Sequence, residues 1–350
     1  MVDPWMLCVN DMDHPWMVWA TPVEQVTQRR RDRLLAAFTE WLTGEGFCFT
    51  DLLDLSPQTT KQLNNLIVRY GRQLFEAGWP YSHYSEVINA IAGYEPGLRR
   101  LLQPAWDLAF AWLREEPHSH HVAMPWQVLV ASLSVALMWG WPRVAGVLAL
   151  AWGAILKIGE VFAACRADLL LPGDVFDTDG FCLLSINEPK TRYKAARHQS
   201  AKLDHPDLLA VVRLAFGHLD PGCRLWPYSA STFRSRFDAI VNRLGVNSWT
   251  GQAGRKLDLG SLRAGGATWL LHTTEDSELV RRRGRWLNSR TMEIYIQEIS
   301  SLQFLHLLQP AARAKVFTLL DNFSFILLVA EQLQASATPT SVWFYRFASG

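Results

Sequence analysis

Apolar residues recur every three to four positions through most of the chain, the spacing of helices that bury one face. Residues 1–23 are the exception: rich in Trp, Met and Pro and without a period, they read as an irregular arm that packs on the body or on a partner. From Val23 to Leu42 the spacing predicts a helix, with Leu34, Leu35, Phe38 and Leu42 on its apolar face and Gly44-Glu45-Gly46 as its stop. Ser56-Pro57 opens a second, because serine caps an N-terminus and proline fits the first turn. Its stripe of Leu63, Ile67, Tyr70 and Leu74 runs to Gly78. A third is expected from Ser82 to Gly93, and a fourth from Pro96 through Leu113. Four helices with short links make a small helical domain over residues 24–114.

Residues 115–124 are polar, contain Pro117 and divide two apolar blocks, as a linker does. His118, His120 and His121 invite a metal, but no further ligand stands at helical spacing, so they read as a solvated loop and no metal is expected. The most apolar region follows, Pro125 to Ala164. Trp126 to Trp141 is too short to span a membrane, and Pro142-Arg143 interrupts it before Val144 to Leu156 resumes. A spanning helix needs about 20 unbroken apolar residues, so two buried helices are expected, with no membrane partner. Lys157 and Glu160, one turn apart, are expected to close the second of them.

The period then changes. Asp168 to Pro172 is short and apolar, Phe181 to Ile186 reads as a strand, Glu188-Pro189-Lys190-Thr191 as a turn and His198 to Leu203 as a returning strand. A small antiparallel hairpin or three-stranded sheet results, with Lys190 near its tip. Helices resume at Pro206 to Leu219 and at Ser229 to Leu244, where Arg234, Arg236 and Arg243 alternate with Phe233 and Phe237. The fold class is therefore mainly α with a small antiparallel sheet. Near the end, Phe317, Leu320, Phe323 and Leu327 form an apolar stripe on a helix over 311–333, and residues 335–350 read as a loose tail.

Composition narrows this picture. At 350 residues the chain can hold two domains, each with its own core. The net charge of +1 supplies no global field toward nucleic acid, so any such binding rests on local patches. One such patch runs from Arg255 to Arg290 and holds Lys256, Arg263, Arg281, Arg282, Arg283 and Arg285 against Asp258, Glu275, Asp276 and Glu278. The five cysteines are far apart, which argues against a zinc site or disulfide frame and fits a reducing, intracellular compartment (the nucleus in a eukaryote). No secretory signal is visible at the start. Sixteen tryptophans signal heavy aromatic packing.

The stretch from Leu257 to Gln297 carries the candidate chemistry. Arg263 opens an apolar helix, Arg281 to Arg283 and Arg285 form a basic knot, and Trp286 precedes Tyr295 by nine residues. Arginine offers a planar fork that matches phosphate oxygens, and a tyrosine hydroxyl can attack phosphorus once its proton is removed. The same residues have an ordinary reading as a solvated basic face, a packing tryptophan and a half-buried tyrosine.

In order and separation these positions resemble the tyrosine recombinase (phage integrase) family, over about residues 25–310 and best between Leu148 and Gln297. Gly153 to Glu160 (GAILKIGE) is similar to the family's G-x-R-x-x-E segment, with Lys157 in the place of the first arginine and Glu160 in that of the glutamate. Lys190 is similar in context to the catalytic lysine on a β-hairpin. Gly260-Ser261-Leu262-Arg263 lies on the H-x-x-R box, and Trp286 and Tyr295 fit the His/Trp and nucleophile positions. The resemblance implies a helical (SAM-like) domain at 24–114 and a mixed α/β catalytic domain at 125–312, which clamp duplex DNA. It implies catalysis by Tyr295, Arg263, Lys190, Trp286 and Lys157, supported at Glu160 and Gly260, through a 3′-phosphotyrosine with no metal or cofactor. DNA contacts would come from Arg281, Arg282, Arg283, Arg285 and Arg234. The C-terminal segment, 313–350, would pack on its own domain or, as in the family, dock into a neighbouring subunit to give a homo-oligomer on DNA.

Two departures matter. Lysine at 157 keeps the charge but loses the planar fork. Glycine at 260 removes a second group, and no side chain is evident to replace it, since His272 lies too far along the helix. The expected function is therefore DNA strand cleavage and rejoining of the mobile-element type, weakened or lost at a degenerate site. The alternatives are a non-catalytic DNA-binding or scaffold protein with the same fold and, third, a membrane-associated helical protein built on residues 126–156.

Overall fold

Ser56 sets the pattern for the first half of the chain: its hydroxyl accepts the backbone N–H of Thr59 at 3.3 Å, and Pro57 occupies the first helical turn. The structure, a computed structural model, describes residues 25–116, 121–174, 180–187, 199–247 and 256–348. The arm expected at 1–23 and the turn that carries Lys190 lie outside those residues. The chain divides into two units, Met1–Ser119 and His120–Gly350.

The first unit holds α1 (Gln25–Gly44), α2 (Pro57–Glu76), α3 (Tyr81–Tyr94) and α4 (Gln103–Glu115). Phe38, Leu42, Leu63, Ile67, Ile88 and Trp112 fill its core, and the buried Tyr84 hydroxyl donates to the Ala105 carbonyl at 3.0 Å. The fourth expected helix is broken. Pro96–Arg100 is a 3-10 turn, and α4 starts afresh with Pro104 in its first turn. Proline lacks an N–H and disfavours helical backbone before it, so it begins a helix more readily than it continues one.

In the second unit α5 (Trp126–Met138) and α6 (Pro142–Gly153) are apolar on nearly every face because nearly every face is covered. Among the described residues no single helix is long and apolar enough to cross a membrane. Lys157 and Glu160 do not close α6. That helix stops at Gly153, Ile155 turns the chain with φ of 51°, and the two residues open α7 (Ile158–Ala163) instead. The Glu160 carboxylate accepts the Lys157 backbone N–H at 2.8 Å, half of a capping box; an ammonium cannot return the other half.

The sheet is antiparallel in the order β1 (Leu169–Leu170), β2 (Cys182–Ile186), β3 (Gln199–Leu203). Leu184 faces Leu169 on one side and Ala201 on the other. Cys182, Leu184 and Ile186 alternate into the core, as a sheet with one covered face requires. Then come α8 (Pro206–Phe216), α9 (Ala230–Leu244), α10 (Gly260–Thr274), α11 (Ser277–Arg283), α12 (Ser289–Glu293) and α13 (Glu298–Leu307).

The C-terminal segment differs from expectation twice. The single helix over 311–333 is two, α14 (Pro310–Asp321) and α15 (Phe323–Ala335), bent by 58°. Asn322 marks the break: its side-chain amide folds back onto the Thr318 carbonyl at 2.8 Å. Both helices pack on α5 of their own unit. The tail is not loose either, since α16 (Trp343–Ala348) buries Trp343, whose indole N–H donates to the Thr338 carbonyl at 3.1 Å.

Gly265 and Gly266 set the approach of α10 to α6. A Cβ on Gly266 would collide with the Trp152 backbone carbonyl, and one on Gly265 with the Met124 carbonyl and the Trp152 indole. Backbone cannot move aside as a flexible side chain can. Gly266→Ala is therefore expected to lower stability by about 1–3 kcal/mol, the usual cost of overpacking, read as the midpoint of denaturant unfolding. An unchanged midpoint would mean that α10 and α6 are not this close.

Candidate functional site

The helix α10 and the short α11 and α12 wall a satellite core beside the main one. Ala267 of α10, Val280 of α11, Met292 of α12, Ile155 and Trp286 are buried together, with Leu270, Leu271, Tyr295 and Ile296 against them. The backbone around Tyr295 is pinned to α10: the Thr268 hydroxyl donates to the Tyr295 carbonyl at 3.1 Å and accepts the Gln297 N–H at 3.1 Å.

Arg263 sits over this core and is only 6% exposed. Its Nη2 donates to the Gly284 carbonyl at 2.6 Å, and its guanidinium carbon lies 4.9 Å from the Trp286 ring and 5.4 Å from the Tyr295 ring. The two rings are 5.0 Å apart. Among the described residues its Nε and Nη1 have no hydrogen-bond partner. Burial draws its pKa down to about 10, the charge of Arg285 pushing the same way against Glu160 and Tyr295. It is therefore still a cation at neutral pH. A buried donor left unsatisfied costs about 1–3 kcal/mol, more when charged, so this arrangement favours any anion that can reach the two N–H groups.

Arg285 stands beside it. Its Nη2 meets the Glu160 carboxylate at 2.7 Å, with side chains only 9% and 12% exposed. Burial lowers its pKa too, and Glu160 works against that fall. Its backbone is left-handed, with φ of 57°, a conformation that costs a non-glycine residue energy and persists where surroundings impose it. Two guanidiniums thus lie near one carboxylate, which bonds Arg285 and leaves the charge of Arg263 in excess.

The hydrogen-bonded partner of Glu160 is Arg285, not Arg263. Lys157 is exposed, and its backbone serves the Glu160 cap. The basic knot divides. Arg281 holds Glu278 at 2.6 and 2.7 Å and the Trp286 carbonyl at 2.8 Å, so it fastens its own loop. Arg283 bonds the Lys202 carbonyl at 2.9 Å and the Asp204 carboxylate. Arg282 is exposed. Arg234 is exposed on α9, which packs chiefly on α5, α14 and α6. The structure therefore brings together Arg263, Trp286, Tyr295, Arg285 and Glu160, while Lys190 lies outside the described residues.

At Gly260 the expectation that no side chain fills the gap is corrected. A Cβ built there would stand 2.6 Å from three atoms of the His121 ring. His121 Nδ1 is 2.8 Å from an Asp258 carboxylate oxygen, and the Gln297 side-chain amide donates to the His121 carbonyl. Asp258 also fixes the start of α10 through a reciprocal pair with Ser261, each bond 3.0 Å. Reading the histidines at 118–121 as a solvated loop missed His121 because its partners lie more than a hundred residues away.

No family model matches the chain, and no curated protein matches it. Solved structures do. A portion of the Tn1549 transposon integrase in complex with transposon right end DNA superimposes with a TM-score of 0.55 at 14% identity, covering 85% of this chain and 94% of that one. An arginine-to-lysine variant of the same integrase with a circular intermediate DNA gives a TM-score of 0.51 at 10% identity, over 75% and 95%. The chain has the tyrosine recombinase (integrase) fold.

If Arg263 is kept for a ligand and not for the fold, Arg263→Met, which removes a buried charge and keeps apolar volume, is expected to unfold in the absence of DNA at the same denaturant concentration as the parent or higher. A loss of more than about 2 kcal/mol, on the scale of breaking a buried network, would make Arg263 a structural residue.

Proposed function

We propose that this protein grips a backbone phosphate of duplex DNA at Arg263 and Arg285 and cleaves and rejoins the strand through Tyr295, as an integrase-like recombinase. The observation that carries the reading is the buried Arg263 guanidinium, with two unpartnered N–H groups, lying against the Tyr295 ring. The Tn1549 integrase structures, whose ligands are DNA, support it.

In the proposed reaction the two non-bridging oxygens sit against the guanidiniums, which match them in geometry and oppose the charge that builds in the transition state. The Tyr295 oxygen bonds phosphorus as its proton leaves, the bond to the 5′-oxygen breaks, and a 3′-phosphotyrosine holds the strand end. Attack by a 5′-hydroxyl reverses the step and rejoins DNA. Trp286 packs beneath the arginine and keeps water from its apolar side. Arg285 takes up the role of a second fork, which lysine at 157 cannot supply. Lys190 is proposed as the acid for the leaving oxygen on the strength of the resemblance.

A second reading keeps the fold and the phosphate grip without the chemistry; Lys157 and Gly260 favour it. One experiment separates the two. On a nicked suicide duplex the parent is expected to form a covalent protein–DNA adduct that disappears in Tyr295→Phe. Arg263→Ala should slow adduct formation by a factor on the order of 10² to 10³ and weaken DNA binding while reducing its salt slope by about one. Salt-dependent binding without any adduct selects the second reading, and absence of duplex binding overturns both.

A further inference from the structure

His121 belongs to none of the motifs that point to the site, yet its imidazole occupies the space that a side chain at position 260 would fill. Three of its ring atoms stand 2.6 Å from the position of a Cβ on Gly260. Residues three apart on a helix share a face, with Cβ atoms about 5–6 Å apart. The ring is therefore on the face of α10 that carries Arg263, one turn earlier. Two further contacts hold it there. Asp258 bonds Nδ1 at 2.8 Å, and Gln297, two residues past Tyr295, donates to the His121 carbonyl. Asp258 is itself fixed by Ser261 at the start of α10, so the carboxylate that orients the ring is rigid.

This is the arrangement by which proteins aim an imidazole. A carboxylate that accepts from Nδ1–H sets the tautomer, balances the positive charge when the ring is protonated, and leaves Nε2 for a ligand. Neighbouring Arg263, buried and with two nitrogens unpartnered among the described residues, independently points to an anion as the ligand. We propose that His121, positioned by Asp258, is the imidazole of the phosphate site, donating from Nε2–H to an oxygen of the phosphate held by Arg263. It is delivered from the segment before α5 and compensates for the glycine at 260. The inference rests on the phosphate-binding reading of Arg263 but not on strand cleavage. Asp258 is a positioning residue.

Inorganic phosphate is the probe, titrated into the full-length protein and followed by side-chain nitrogen NMR. Arg263 and His121 resonances are expected to move along one saturation curve. His121→Ala, which keeps the backbone contact with Gln297, is expected to weaken phosphate about tenfold, the worth of one hydrogen bond to a charged group. His121→Ala combined with Gly260→His returns an imidazole to the same space from the helix itself and should recover most of that loss. A merely structural His121 would not be rescued this way. Asp258→Asn should give an intermediate loss.

Arg263 shifting while His121 stays still overturns the inference and leaves the anion site standing. Neither moving at saturating phosphate overturns both. A phosphate-dependent His121 in a protein that forms no adduct on DNA leaves the inference intact and removes only the cleavage reading. Should His121→Ala fail to fold, the parent titration alone decides.

Discussion

The positive charge of Arg263 lies where water hardly reaches it, and much of the second unit is arranged around that fact. Its hydrogen-bonded partner is the Gly284 carbonyl, a neutral dipole, and the neighbouring carboxylate of Glu160 is bonded to another cation, Arg285. Aromatic faces of Trp286 and Tyr295 supply the remaining electrostatic relief. Arg263 projects from α10, which is packed closely on its neighbours. Gly265 and Gly266 seat it against the backbone of Met124 and Trp152.

Around this centre several basic side chains are paired within the chain. Arg281 ties the Trp286 loop to Glu278, and Arg283 ties α11 to Asp204 beyond β3. Their charges are already answered from within the chain. The unanswered positive charge of this region is therefore smaller than the basic knot suggests, and the chain's small net charge agrees with that.

The fold was legible wherever a local rule decides the outcome. Ser56-Pro57 announced α2, and the short run Phe181 to Ile186 announced the central strand. Local rules failed where proline or asparagine breaks an apolar stripe that would otherwise run on, as at Pro104 and Asn322. At the site, residue types and order pointed to Arg263, Trp286 and Tyr295, because their separations are short and set by neighbouring helices. The partnerships were hidden. Glu160 pairs with Arg285 and His121 with Asp258 across more than a hundred residues each, and no periodicity carries such information. The left-handed backbone at Arg285 and Ile155 was hidden too, since neither residue advertises it.

The burial of α5 has a consequence for how the chain is made. That helix leaves the ribosome early, apolar on nearly every side, while α14, α15 and α16, which cover part of it, follow some 170 residues later. Until they arrive the growing polypeptide carries an uncovered oily surface, the kind of species that invites chaperones or self-association. Truncations that remove residues 310–348 would thus leave this unit with an open core, even with every residue around Arg263 in place.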